Sequence, residues 1–401
     1  MNIEKQLSLI GQNNYSEYIK LLLYKRDNSI FDVLDFENDK IFLDPLFFAF
    51  FNEKTETNHL ESIIYGYQKN KVYKPTIEVK TDRFGRIYLP NIGWIITKLK
   101  EEYLTLEKEC LVLKKKNKTV EYEFENRHII EGTNIEVLKY PIPLLEKSFY
   151  NTKKEIINVE IEEITKKHIE NLTKAYNLIK EFSPAVFDLI QISSPKCVIF
   201  NVDTYQRNSF ADVAAHGIAF YNAYQKDYNE VFFVDDIAHQ TGHVIFTNII
   251  SEIDKFLKVN KNTILETIHH PNGTIVENRH VEVIFHALYT YYTTFTCLDN
   301  CLNNEVFHGK REHEALGRIC FYLGKCYRDL LLIDDPISSD KKSNEIFTKD
   351  GLILYNMIKR KWIEMYEKWM KKVKDFDMSN QPYNFTYSKF SELNPYNEDN
   401  F

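Results

Sequence analysis

The sequence predicts an α+β protein in which a helical segment and antiparallel β-hairpins precede a mainly helical region with a small mixed sheet. Apolar residues recur at helical spacing near the N-terminus and through the C-terminal half, whereas alternating and β-branched runs fill the stretch from Pro75 to residue 140. The chain has 401 residues, 44% of them hydrophobic, with only 12 glycines and 11 prolines. It is therefore long enough to bury a core and has too few breakers for long flexible linkers.

Charge and cysteine usage limit the partners and the compartment of the protein. The formal net charge is −7 at pH 7, so no overall basic field attracts nucleic acid or an anionic membrane. The first residues, MNIEKQLSLIGQNNY, include Glu4 and lack an apolar run of signal-peptide length. Six cysteines without a CxxC pair favour reduced thiols over a disulfide scaffold. We therefore expect a cytoplasmic protein that binds neither nucleic acid nor a membrane.

Residues 1–150 are predicted to form an N-terminal region of helices and β-hairpins that is able to bind a peptide. The stretch YSEYIKLLLYKR has apolar residues at helical spacing. From TIEVKTDRFGRIYL onwards the pattern alternates, with turn signals at Asp82–Gly85 and Lys116–Asn117, which favours antiparallel hairpins. An edge or open face of such a sheet can bind an extended peptide by strand addition, although an ordinary solvated sheet has the same pattern.

Residues 151–401 are predicted to form a second, mainly helical domain. CVIFNV, at 197–202, and HGIAFYNAY, at 216–224, have the apolar character of buried strands, and we expect the second to be an edge strand. A helix that begins at Asp235 or Asp236 follows, since either carboxylate can cap it. The other helices predicted in this domain are KKHIENLTKAYNLIKEF and the stretches at about 278–303, 312–333 and 351–374.

The sequence HQTGH places His239 and His243 four residues apart within this helix. On a helix, that spacing puts both imidazoles on one face, where they can bind one metal ion. A strand and turn before the pair and an apolar helix after it are typical of metallopeptidase-like (zincin-like) folds, in which an edge strand lies above the metal helix. Gly242 costs this helix about 1 kcal/mol relative to alanine. Either a close-packed neighbour or simple tolerance of the glycine accounts for it.

A stable site needs a third protein ligand, and the next predicted helix offers two. His286 is the first choice and Glu282 the runner-up; they share a face, so one can ligate the ion while the other supports it. Arg279 lies seven residues before His286, two turns earlier on nearly the same face. It can present its guanidinium to a carboxylate near the metal, and a structural salt bridge is the alternative.

Gln240 occupies the position where HExxH proteases have glutamate. That glutamate takes a proton from metal-bound water, and an amide cannot accept the proton at neutral pH. The glutamine therefore argues against ordinary peptide hydrolysis. It leaves room for chemistry in which the metal activates dioxygen, since iron(II) held by two histidines and one further ligand suits oxygenases.

Four segments, CVIFNV, FADVAAHGIAF, AHQTGH and RHVEVIFHALYTYY, together resemble a known family. This is the family of HExxH-motif peptide-modification proteins, described as 2-oxoglutarate-dependent peptide β-hydroxylases found with ribosomally made, post-translationally modified peptides. The resemblance covers roughly residues 195–370. The last segment is similar to the family's Arg-Pro, seven-residue spacing and Leu-His-Gly-x-Tyr stretch. Arg279, His286 and Tyr289 fall on matching positions.

The chain departs from the family pattern at three positions. Gln240 replaces the motif glutamate, and His280 and Ala287 replace the usual proline and glycine. If the family's glutamate only supports a ligand, the glutamine preserves activity. If that glutamate ligates or transfers protons, the activity is changed or lost.

The resemblance implies an iron(II)- and 2-oxoglutarate-dependent oxygenase. His239, His243 and His286 would hold iron(II), and Arg279 would bind a carboxylate of 2-oxoglutarate. Reaction with dioxygen would hydroxylate a side-chain β-carbon of a precursor peptide and release succinate and carbon dioxide. The hairpins of residues 75–140 are then a place where that peptide can bind.

Two other functions are compatible with the sequence. A zinc-dependent hydrolase would use the same histidines with a base supplied from elsewhere. A catalytically silent, metallopeptidase-like module would bind a peptide without metal. Gln240 and Tyr289 are the candidate catalytic side chains; Tyr289 lies three residues beyond His286 and can hydrogen-bond in the site, and core packing is its alternative role.

Overall fold

A computed structural model describes residues 3–52, 59–68, 76–107, 111–225, 228–269, 275–335 and 342–398. The predicted α+β class is confirmed, with many helices and several small sheets. The chain forms two compact units, each built from separate stretches: unit 1 contains 1–11, 168–193 and 225–401, and unit 2 contains 12–167 and 194–224. The predicted boundary near residue 150 falls inside unit 2, and the division into two domains with separate roles stays a prediction.

Helices supply most of the regular structure. In chain order they are α1 (Ile3–Arg26), α2 (Asp39–Phe42), α3 (Pro45–Asn52), α4 (His59–Tyr65), α5 (Glu162–Phe182), α6 (Pro184–Ser193), α7 (Glu230–Ile249), α8 (Val281–Asn303), α9 (Lys310–Leu331), α10 (Ser343–Ile346), α11 (Lys349–Val373) and α12 (Tyr387–Leu393). The three long C-terminal helices predicted from apolar spacing are confirmed as α8, α9 and α11. In the described residues no helix has both the length and the apolar character needed to cross a membrane.

The strands form four small sheets in the described residues. Their orders are β1-β4-β5-β6, β2-β3-β7, β11-β12-β10-β9-β8 and β13-β14. The strands are β1 (Thr76–Lys80), β2 (Arg86–Leu89), β3 (Gly93–Ile96), β4 (Tyr103–Glu107), β5 (Val112–Lys115), β6 (Lys118–Thr119), β7 (Glu123–Asn126), β8 (His128–Ile129), β9 (Glu136–Val137), β10 (Lys196–Phe200), β11 (Phe210–Ala211), β12 (Ile218–Asn222), β13 (Ile264–His269) and β14 (Ile275–His280).

The antiparallel hairpins predicted in unit 2 are confirmed. Lys116 and Asn117 both have positive φ, 48° and 65°, as the tight turn between β5 and β6 requires. Gly85 has φ 87° in the turn between β1 and β2. These two strands do not pair with each other, because β1 pairs with β4 and β2 pairs with β3. The inner faces of both sheets still contribute to one apolar core, which includes Ile77, Val79, Ile87, Leu89, Ile95, Leu104, Leu106 and Leu113.

The small mixed sheet also belongs to unit 2. The first four residues of CVIFNV lie in β10, whose five residues are all buried, and β10 pairs in parallel with β9 and β12. The prediction that HGIAFYNAY forms an edge strand is wrong, since β12 lies between β11 and β10. The two-residue strand β11 forms the edge instead, and its brevity hides it from the sequence pattern.

The candidate-site helix α7 lies in unit 1 and begins earlier than predicted. Its first residue is Glu230, and the Asn229 side chain caps it by accepting a hydrogen bond from the Val231 amide at 2.8 Å. Asp235 and Asp236 are therefore buried interior residues and not caps. The apolar residues that precede them belong to the helix, and their run of consecutive buried side chains obscures the helical period.

Gly242 lies where α7 packs against α8. A Cβ atom at this position would come within 2.5 Å of Thr293 Oγ1. Thr293 is fully buried, and its hydroxyl donates to the Ala238 carbonyl of α7 at 2.9 Å. A close neighbour therefore explains this glycine, and its helix-propensity cost is offset by the close approach of the two helices.

We expect Gly242→Ala to destabilise the protein although alanine is the better helix former. Overpacking against Thr293 costs about 1–3 kcal/mol, which exceeds the propensity gain of about 1 kcal/mol. Gly324→Ala in α9 is the matched control, because nothing lies within 4 Å of the added Cβ there. Thermal unfolding should give a lower midpoint for Gly242→Ala and a slightly higher one for Gly324→Ala. A rise for both variants would contradict the packing argument.

Candidate functional site

The packing of α7 against α8 makes the three predicted metal ligands neighbours. The ring centroids of His239 and His243 are 5.3 Å apart, and those of His243 and His286 are 5.9 Å apart. Phe246, one turn after His243, packs edge-on against His286 at 5.0 Å. Two histidines thus come from one helix and the third from the next, as predicted.

The imidazoles do not form a closed ligand set as they stand. In the part of the chain that the structure describes, no group of three or more His, Cys, Asp or Glu side chains is arranged to hold a metal ion. A ligated imidazole has its nitrogen at about 2.1 Å and its centroid roughly 3 Å from the ion. Each neighbouring pair is therefore close enough to share one ion. Binding of one ion by all three rings therefore requires a rearrangement of the described site.

Burial keeps the three rings neutral at physiological pH. It lowers the pKa of His243 to about 4 and that of His286 to about 3, and it lowers the pKa of His239 well below the usual value. All three retain some exposed surface, so a ligand can reach them. Neutral imidazole is the form that binds metals, because the proton otherwise occupies the ligating nitrogen.

His239 has a ring nitrogen that no described residue satisfies. Its Nδ1 is buried and lacks a hydrogen-bond partner, while its ring stacks on Tyr322 at 5.8 Å and lies 6.1 Å from Tyr291. An unsatisfied buried polar atom costs about 1–3 kcal/mol. A water molecule, a cation or a substrate group at this nitrogen would remove that cost.

Asp235 lies one turn before His239 on the same face of α7 and was missed as a site residue. It is 2% exposed, and its Oδ2 accepts a hydrogen bond from Arg318 Nη1 at 2.6 Å. Burial raises its pKa although Arg318 opposes that shift. Its Oδ1 has no partner among the described residues. The sequence signal was the i, i+4, i+8 spacing of Asp235, His239 and His243, which the assignment of Asp235 as a cap concealed.

The side chain of Gln240 hydrogen-bonds to another residue of α7. Its Nε2 donates to Asp236 Oδ1 at 3.1 Å, and the side chain is 6% exposed. The amide is thus held in place by the residue one turn earlier. The predicted catalytic role of Gln240 stays a prediction.

Arg279 does not lie on the helix of His286, so the argument from a shared helix face was wrong. It belongs to β14, and α8 begins two residues later at Val281. Its guanidinium binds the buried carboxylate of Asp329 with two hydrogen bonds, of 2.7 and 2.9 Å, and contacts Glu266 at 3.2 Å. These contacts match the salt bridge that was the alternative reading of this residue, and the guanidinium already has two carboxylate partners.

The two remaining candidates have partners of their own. Glu282, in the first turn of α8, pairs with Lys261 at 3.2 Å. Tyr289 is fully buried, stacks on Phe246 at 4.6 Å, and donates its hydroxyl to Glu4 at 2.7 Å. Tyr289 therefore occupies a core position, and its predicted catalytic role stays a prediction.

Lys325 on α9 is a second residue that the sequence reasoning missed. It lies between Tyr322, which stacks on His239, and Asp329, which binds Arg279; the i, i+3, i+7 spacing puts all three residues on one face of α9. Its Nζ donates to the Tyr383 carbonyl at 2.8 Å, and the described residues give it no ion-pair partner. Burial lowers its pKa to about 8. No local motif marks this lysine.

Comparison with known proteins adds no family assignment. Neither a protein-family model nor a curated protein matches this chain. The resemblance to the peptide β-hydroxylases therefore rests on the motif residues, and the membership stays a prediction.

We expect the protein to bind one iron(II) or cobalt(II) ion when it is titrated without oxygen. Substitution of His239, His243 or His286 by alanine should weaken binding at least about tenfold, since each removes a ligand. His308→Ala, which changes an exposed histidine, is the control. Binding that is equal in all four variants and the wild type would refute the assignment of these three histidines.

The same titration should depend weakly on pH near neutrality. Protonation competes with metal for imidazole nitrogen, and free histidine titrates at about 6.5. Because burial lowers the pKa of His243 to about 4, affinity should persist as the pH falls to about 5 and decline below it. A decline centred near pH 6.5 would show that these rings are not the ligands.

Proposed function

We propose that this protein is an iron(II)- and 2-oxoglutarate-dependent oxygenase that hydroxylates a side-chain β-carbon of a ribosomally made peptide. The observation that carries the proposal is the group of three neutral imidazoles from two packed helices, with the buried Nδ1 of His239 unsatisfied. Iron(II) held by two histidines and one further ligand suits oxygenases. The metallopeptidase-like (zincin-like) identity of the surrounding fold is part of this proposal.

Side chains of unit 1 would bind the ion and shield it from water. His239, His243 and His286 would hold iron(II), which with 2-oxoglutarate supplies the activation of dioxygen that hydroxylation of carbon requires. The rings of Tyr322 and Phe246 pack beside these imidazoles. Such an apolar wall excludes water, which strengthens polar interactions inside the site.

Lys325 is the cation that we assign to a carboxylate of the co-substrate. Arg279 has the role in the family pattern, but here it is engaged by Asp329 and Glu266. Lys325 has a carbonyl oxygen and two aromatic rings as its close contacts, so a carboxylate does not have to displace an ion pair. Its position on α9 beside Tyr322 brings it near His239.

Turnover of peptides encoded beside this gene tests the proposal. Anaerobically purified protein supplied with iron(II), 2-oxoglutarate and oxygen should form succinate and add one oxygen atom to a peptide. His243→Ala should abolish both products, whereas His308→Ala should retain them. Neither succinate nor a mass gain with any of these peptides would defeat the oxygenase proposal.

We expect Lys325→Met to raise the dissociation constant of 2-oxoglutarate at least about tenfold, because a desolvated charge contact is lost. Lys310→Met, at an exposed lysine of the same helix, should leave it unchanged. The ammonium is charged below its pKa of about 8, so affinity should fall as the pH rises through that value. The charged neighbours that act on this titration are Asp329 and Asp235, which raise the pKa, and Arg279 and Arg328, which lower it. Isothermal titration calorimetry at pH values below and above 8 measures the dissociation constant of 2-oxoglutarate.

The Arg279→Gln variant tests whether Arg279 or Lys325 binds the 2-oxoglutarate carboxylate. It should destabilise the protein by roughly 3 kcal/mol, because Asp329, a buried carboxylate, loses its paired hydrogen bonds. At a temperature where the variant is folded, its 2-oxoglutarate affinity should stay close to that of the wild type. A large loss of affinity without loss of stability would return the co-substrate role to Arg279.

A catalytically silent peptide-binding module is the second candidate. It is favoured by the lack of a closed three-ligand group in the described residues and by Gln240 in place of a general base. Such a module would bind its peptide equally with a chelator present, and His239→Ala would leave the affinity unchanged. A zinc hydrolase would instead cleave the peptide without oxygen.

A further inference from the structure

The C-terminal half of α1, which belongs to unit 2, exposes a group of large apolar side chains. Tyr18, Leu21, Leu22 and Tyr24 are 40–62% exposed, and Phe36, which follows α1 in the chain, is 47% exposed. Exposed apolar side chains that are scattered singly are normal on a protein surface, whereas a contiguous group marks a surface that another molecule covers. This part of α1 is therefore a candidate interface.

A groove lies beside this part of α1 and within the same unit. It has a volume of about 590 Å³ and separates α1 from the chain between Asn28 and Phe36. The rings of Phe31 and Phe36 pack edge to face at 5.5 Å, and the Tyr24 ring lies 6.5 Å from Phe31. The Nζ atom of Lys20 lies 4.3 Å from the Phe36 ring and is paired with two carboxylates. Three aromatic rings thus extend the exposed apolar surface beyond one helix.

The pattern of side chains on this face is the same in both directions along the helix. In the α1 segment EYIKLLLYK, Leu21 is the middle residue. Tyr18 and Tyr24 lie three positions from it, and Glu17 and Lys25 lie four positions from it. Residues three and four apart are neighbours on a helix, so these five exposed side chains form one face. The two ends of the face carry charges of opposite sign.

A second copy of the protein fits this face when the two helices are antiparallel. A pairing centred on Leu21 puts this leucine opposite its own copy and puts Tyr18 level with Tyr24 of the second copy. Glu17 is then level with Lys25 of the second copy, and the contact occurs twice because of the symmetry. Parallel helices would instead put like charges level with each other, which is unfavourable. Self-complementarity of this kind is what an interface with two-fold symmetry requires.

We propose that the protein forms a two-fold symmetric dimer through residues 17–25 of α1, with the two helices antiparallel and Leu21 beside the axis. The groove next to α1 adds its aromatic rings to the contact. One helix face and one groove make a small interface, so we expect a dissociation constant on the order of 10 μM. The dimer goes beyond the proposed oxygenase function and does not depend on a metal.

Sedimentation equilibrium of the full chain, at roughly 1–200 μM, tests the dimer. Leu21→Glu should raise the dissociation constant at least about tenfold, because it puts two carboxylates beside the axis. Leu9→Glu is the matched control and should leave the dimer unchanged. Leu9 is 43% exposed, compared with 48% for Leu21, and lies about three turns earlier in α1. Thermal unfolding of dilute samples checks that both variants are native.

Exchange of the two charges tests the antiparallel arrangement. Glu17→Lys and Lys25→Glu should each weaken the dimer roughly threefold or more, because like charges then become level. The double variant should bind nearly as well as the wild type, since it reverses both members of each pair. Lys20 keeps its Asp39 partner in all of these variants.

Three results would contradict the proposal. A wild type that stays monomeric over the whole range would overturn it, because the face would then belong to a different partner. Equal dissociation constants for the wild type and Leu21→Glu would overturn it too, since the dimer would then use another surface. A double charge variant that binds as weakly as the single ones would overturn the antiparallel arrangement.

Discussion

The close approach of α7 and α8 is the constraint on which the candidate site depends. A glycine at position 242 lets the Thr293 hydroxyl reach the Ala238 carbonyl at 2.9 Å, and this contact fixes how near the two helices lie. The distance between the His243 and His286 rings follows from it. The HQTGH motif places two imidazoles side by side within α7, and close packing of α8 on α7 adds the third. It brings the third imidazole to the other two from a separate part of the chain.

The features that follow from local periodicity were predictable from the sequence. Four-residue spacing makes His239 and His243 neighbours on any helix, and the apolar pattern correctly gave the long C-terminal helices. Turn chemistry correctly located the hairpin at Lys116–Asn117, where both residues have positive φ. The neighbourhood of His286 followed as well, since the next apolar helix had to pack somewhere on α7.

Features set by distant partners were not predictable from one sequence. Arg279 was placed on a helix because no glycine or proline separates β14 from α8, so its pairing with Asp329 was not foreseen. Tyr322 and Lys325 lie on α9, about eighty residues beyond the HQTGH motif. The contact between Tyr322 and His239 joins distant parts of the chain, so no local sequence pattern predicts it. The partners of the strands were not predictable either. β1 pairs with β4 and β2 pairs with β3, and alternation alone does not decide between such pairings.

Unit 1 cannot finish folding until late in the synthesis of the chain. Glu4 accepts its hydrogen bond from Tyr289, 285 residues later in the chain, and all of unit 2 is translated between these two residues. At translation rates of about 5–20 residues per second, the nascent N-terminal helix waits on the order of tens of seconds for that partner. Unit 1 can therefore complete its packing around Tyr289 only after α8 has been synthesised.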